Sequence, residues 1–88
     1  MIFNIDELKK KIIYRSTYRG TKEMDTLLSS FTKQIINDLN EDELINLSNL
    51  LDIDDENLYK FNQGLSPTVN IQINKVSKLF KKFKYNKK

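Results

Sequence analysis

The sequence predicts an all-α fold, a compact single domain of about five short helices. Three observations carry this prediction. One helix-start pattern recurs along the chain, apolar residues return at three- and four-residue intervals, and the connections between them run two to four residues. No pair of segments alternates as partnered strands would. The stretch VNIQI (69–73) does alternate, but it follows Ser66-Pro67 and runs into helical spacing, so it reads as helix.

The first helix starts at FNIDEL. Asn4 caps, Glu7 completes a capping box, and Phe3 staples to Leu8; Ile5, Leu8, Ile12 and Ile13 supply its apolar face. The second carries Met24, Leu27, Leu28, Phe31, Ile35, Ile36 and Leu39, the cleanest 3–4 pattern in the chain. The third opens at LNEDEL with Asn40 as cap, Glu43 closing the box and Leu39 stapled to Leu44; Leu47, Leu50 and Leu51 follow. The fourth opens at IDDENL, with Asp54 as cap and Ile53 stapled to Leu58. It offers Leu58, Tyr59 and Phe61 inward and stops at Gly64. The fifth begins at SPTV, with Ser66 as cap and Pro67 at the first helical position, and points Val69, Ile73, Val76, Phe80 and Phe83 inward. Residues 1–84 thus form one helical domain, and the lysine-rich 85–88 a disordered tail.

A domain of 88 residues buries only roughly 60–65% of its unfolded surface. Little volume remains for a deep catalytic cleft, which favours a binding module over an enzyme. The chain has no cysteine and no histidine. Disulfides, thiolate chemistry and Cys/His zinc sites are excluded, and the commonest general base is missing. No apolar run is long enough to span a membrane. The N-terminus reads neither as a secretory signal nor as an Arg-rich transit peptide, so a cytoplasmic protein is expected, and a monomer.

The net charge of +3 conceals an asymmetry: residues 38–56 hold eight acids and no base, and residues 75–88 seven lysines and no acid. Without that C-terminal stretch, eight bases against twelve acids leave −4. The basic balance belongs to the end of the chain, which argues against nucleic acid as the partner. The acids of 38–56 read as helix N-terminal charges favoured by the macrodipole. The spacing Asp52, Asp54, Glu56 lacks the glycine and distal glutamate of a calcium loop.

The stretch YRGTKEMD (18–25) stands apart. One reading makes Gly20 a left-handed C-terminal cap of the first helix, with Arg19 and Glu23 a surface ion pair. The other starts from its neighbours. Tyr14 and Tyr18 lie four apart, as do Arg15 and Arg19, the only arginines in the chain. On a helix they form a stripe of ring and guanidinium groups, the residue types that dominate protein interfaces, and a glycine beside it lets another backbone approach.

The segment IIYRSTYRGTKEMDTLLSSF (12–31) resembles the SdhE family, small factors that promote covalent attachment of FAD to the flavoprotein subunit of succinate dehydrogenase. Arg19, Gly20, Glu23 and Asp25 match its Arg-Gly-x-x-Glu-x-Asp signature. LLDIDDENLYKFNQGLSP (50–67) is similar to the family's progression of a Leu-Leu pair, acidic loop, leucine, aromatic, glycine and proline, with Phe61 where the family often has tryptophan. The resemblance implies a five-helix fold and a non-enzymatic assembly factor that binds the flavoprotein subunit, with fumarate reductase as a further candidate client. It implies no cofactor bound by this chain, the FAD and its linking histidine belonging to the partner. Arg19, Gly20 and Glu23 would form the contact surface together with Asp25; Tyr14, Arg15 and Tyr18 join it on the stripe argument. The alternative is a small nucleic-acid-binding or antitoxin-like regulatory protein.

Overall fold

A computed structural model describes residues 4–84. The Phe3–Leu8 staple and the 85–88 tail lie outside the described residues. Five α-helices follow in order: α1 Ile5–Thr17, α2 Lys22–Ile35, α3 Glu41–Leu51, α4 Asp55–Asn62 and α5 Lys75–Lys82, with a 3-10 turn at Ile36–Asp38. Among the described residues there is no strand.

Local chemistry explains the starts. Asn4 accepts the Glu7 N–H at 3.1 Å, and Asp54 accepts that of Asn57 at 3.2 Å. At α3 the full reciprocal box forms: Asn40 takes the Glu43 N–H at 2.8 Å, and Glu43 takes the Asn40 N–H at 3.0 Å. Thr21, not singled out from the sequence, caps α2 by accepting the Met24 N–H at 3.2 Å.

The fifth helix starts later than the sequence suggests, a correction to the Ser66-Pro67 reading. Residues 65–74 are irregular, and α5 begins after Asn74, whose side chain and that of Ser77 cap each other's backbone at 2.9 Å. The β-branched Thr68, Val69, Ile71 and Ile73 resist helix, and Val69 and Ile73 have no core to face: both are exposed. The loop is instead pinned by the buried Asn57, whose Oδ1 accepts the Thr68 N–H at 2.7 Å and its hydroxyl at 3.1 Å. Gly64 leads into this loop with φ +80°, the left-handed conformation that glycine adopts freely.

The helices close around one core. α1 packs on α2 and α3, and α5 on α3 and α4. Phe31 of α2 meets Phe80 and Phe83 with ring centroids 5.0 and 5.4 Å apart, while Phe61 of α4 stacks near Phe80 at 6.5 Å. Ile12, Leu28, Leu47 and Leu58 are fully buried around them. Tyr59, expected inward, is about half exposed. Asn62 is buried and closes the end of α5, donating from Nδ2 to the carbonyls of Phe80 and Phe83 at 2.8 and 2.9 Å. Across α3 and α5, Lys75 pairs with Glu43 at 3.2 Å.

Candidate functional site

The stripe predicted on α1 divides in two. Consecutive positions on a helix point about 100° apart, so Tyr14 with Tyr18 and Arg15 with Arg19 occupy different faces. The tyrosines face solvent, 64% and 68% exposed, and lean on each other with centroids 4.6 Å apart. The arginines turn back onto the protein. Arg15 donates from Nη1 to the Ser48 hydroxyl at 3.0 Å and pairs through Nη2 with the Asp52 carboxylate. Arg19 lies deeper, its side chain 12% exposed. Its Nε donates to Asp55 Oδ1, Nη1 to the Leu51 carbonyl and Nη2 to the Ile53 carbonyl, each at 2.8 Å.

Arg19 therefore ties the end of α1 to the α3–α4 turn, and its partner is Asp55 rather than Glu23. The left-handed reading of Gly20 is corrected as well: among the described residues only Gly64 has positive φ. Tyr18 is the C-cap of α1, its N–H donating to the Tyr14 carbonyl at 3.2 Å. The small size of Gly20 matters for a different reason. Its N–H donates to Asp55 Oδ2 at 2.8 Å, and a Cβ there would lie 3.0 Å from that same oxygen.

Asp25 also points into the fold and accepts the Arg19 backbone N–H. Glu23 is exposed, and among the described residues its side chain makes no hydrogen bond or ion pair. Of the seven residues singled out, Tyr14, Tyr18, Gly20 and Glu23 thus present themselves outward, Arg15 is half-buried, and Arg19 and Asp25 shape the turn from within. Sequence reasoning passed over Ser48, Asp52 and Asp55. Two lone arginines on a chain with an acidic segment lacking bases were the available signal.

Two carboxylates at helix starts are shifted, each with a clear cause. Asp54 sits below the usual aspartate range because Asn57 donates to it from side chain and backbone. Glu43 is lowered by the Asn40 backbone N–H and then by Lys75. A groove of ≈ 180 Å³ between α3 and residues 70–77 is lined by Asn46, Asn49, Asn70 and Gln72 and holds no acid or base. Among the described residues no cluster of acids could hold a metal ion, and no helix is long and apolar enough to cross a membrane.

The family model described as flavinator of succinate dehydrogenase matches residues 10–84. The chain belongs to this family. Two curated proteins are similar. The protein of Scheffersomyces stipitis named succinate dehydrogenase assembly factor 2, mitochondrial, is 43% identical over 54 residues, 60% of this chain and 36% of that protein. Its namesake from Debaryomyces hansenii is 36% identical over 56 residues, 64% of this chain and 39% of that protein. The matches span less than two fifths of either relative's length. No solved structure matches. The cytoplasmic placement expected above is overturned by these names, both of which read mitochondrial. Composition and N-terminal charge report on solubility and partners, and a compartment is not written in either.

Proposed function

We propose that this flavinator-family protein binds the flavoprotein subunit of succinate dehydrogenase and promotes covalent attachment of FAD to it. The family match over residues 10–84 carries the reading, because it encloses the whole face built by Tyr14, Tyr18, Gly20 and Glu23.

The division of labour follows from exposure. Tyr14 and Tyr18 form a rigid aromatic anchor, and burying such a pair against a partner releases large apolar area at low entropic cost. The open backbone at Gly20 lets the partner's chain come close. Glu23, with its carboxylate unspent, makes the charged contact. Arg19 and Asp25 act indirectly, by keeping the turn in shape. No acid–base or nucleophilic step is assigned to this chain; its contribution is to hold the subunit so that flavin and the partner's own histidine meet in reactive geometry. The bond-forming electronics belong to the flavin.

The test is covalent flavin on the cognate flavoprotein subunit, read as in-gel fluorescence after denaturation, in cells lacking the factor and in cells supplied with it. Fluorescence that depends on the protein supports the reading. Equal fluorescence with and without it overturns the reading.

A further inference from the structure

We propose that Asp55 is the positioning residue of the Arg19-Gly20 turn: its carboxylate sets the backbone shape that presents Gly20 and Glu23 to the partner. The role rests on the partner-binding reading above and assigns the motif a member from another part of the chain.

Asp55 is the first residue of α4, where an acid is favoured by the helix dipole alone. The geometry asks more of it. One oxygen takes Arg19 Nε at 2.8 Å and the other takes the Gly20 N–H at 2.8 Å, so a single carboxylate reads a side chain and the adjacent backbone. A carboxylate held at both oxygens is fixed in orientation as well as in distance. Arg19 is in turn anchored on the Leu51 and Ile53 carbonyls, which leaves Asp55 little freedom to move. Both side chains are largely covered, at 12% and 26% exposure, so water competes weakly. The contact also gives residue 20 its size limit: a Cβ would lie 3.0 Å from Asp55 Oδ2. Aspartate suits the site because its short side chain brings both oxygens to the turn. The turn thus has two ties, Asp25 on the Arg19 N–H and Asp55 on the Gly20 N–H.

The experiment compares the full-length wild type with Asp55→Ala and with Asn40→Ala, which removes the α3 cap and spares the turn. Three quantities are read: thermal midpoint, Gly20 amide exchange, and the factor concentration giving half-maximal covalent flavin on the purified flavoprotein subunit with free FAD. In Asp55→Ala, Gly20 exchange is expected to quicken about tenfold. The half-saturating concentration is expected to rise about tenfold, as a pre-organised contact is lost, with the plateau retained. Asn40→Ala is expected to lose thermal stability and keep both other values. Unchanged Gly20 exchange, or a half-saturating concentration no higher than in Asn40→Ala, would overturn the role. Should Asp55→Ala not fold, Asp55→Leu, which keeps the branched side-chain shape without an acceptor, takes its place under the same criteria. If the wild type itself forms no covalent flavin, the flavinylation reading falls, and Gly20 exchange still decides whether Asp55 holds the turn.

Discussion

The Asp25 carboxylate accepts the backbone N–H of Arg19, so the last residue of the motif closes the turn that its first residue opens. The bond spans the junction between α1 and α2, where the chain reverses and backbone amides lack helical partners. It gives Asp25 an internal task beside the contact role that the sequence suggested.

Asp25→Ala removes that acceptor and strands the Arg19 amide. The expected cost is about 1.5–3 kcal/mol, in line with a hydrogen bond to a charged group. In a domain of this size that is a sizeable share of the whole margin. Urea denaturation followed by circular dichroism measures it. Flavinylation should fall by more than the folded fraction does, because the turn that presents Gly20 and Glu23 loses one of its two ties. A variant as stable as the wild type would show that the turn does not rely on this bond.

The two glycines make opposite predictions. Gly64 has φ +80° and open space where a Cβ would sit, so Gly64→Ala is strained by its backbone alone, by about 1 kcal/mol. It should lower stability and leave covalent flavin per folded molecule unchanged. Gly20 lacks positive φ, so Gly20→Arg acts by bulk: it crowds Asp55 and covers the open backbone beside the tyrosines. Covalent flavin should be lost with helical content largely kept. Normal flavinylation by a folded Gly20→Arg variant would remove this face from consideration.

Glu23 and the tyrosine pair should separate function from folding. Glu23 is exposed without a partner among the described residues, so Glu23→Ala should change stability by less than about 0.5 kcal/mol. Tyr14→Ala and Tyr18→Ala each remove one half of an exposed ring pair, and should be similarly mild in stability. Against the purified flavoprotein subunit, each is expected to weaken binding by about 1–2 kcal/mol, roughly a five- to thirtyfold effect. Calorimetric titration gives the binding half of the comparison and urea denaturation the stability half. Unfolding of Glu23→Ala would return that residue to a structural role.

How much of this could be read in advance follows the range of the interactions involved. Asn4, Asn40 and Asp54 were legible because a cap and its recipient amide lie three residues apart. The start of α5 was not: Ser66-Pro67 is a strong local signal, and Asn74-Ser77 is a quieter one with serine in the usual place of glutamate. What decided between them was burial of Val76 and Phe80, which depends on the rest of the fold. The site divides along the same line. Four-residue spacing shows that Tyr14 pairs with Tyr18, and Arg15 with Arg19. It does not show which pair faces out. That choice is made by Ser48, Asp52 and Asp55, more than thirty residues away.

Acid sensitivity should start at the caps of α3 and α4. Asn57 donates to Asp54 from side chain and backbone, and the Asn40 N–H and Lys75 act on Glu43, so both carboxyls hold their charge to lower pH when folded than when unfolded. A depressed folded value means stability that is fully present above the unfolded value and is lost as pH falls through the folded one. The thermal midpoint should therefore be level from neutral pH down to the ordinary carboxylate range and drop below it. The loss at Asp54 should spread, because the Asn57 that it orients also pins Thr68 and with it the loop into α5. Thermal midpoints measured against pH for the wild type and for the Glu43→Gln, Asp54→Asn double variant test this. The variant should begin lower at neutral pH and lose less on acidification, narrowing the gap. Two parallel curves would place the acid sensitivity in other carboxylates.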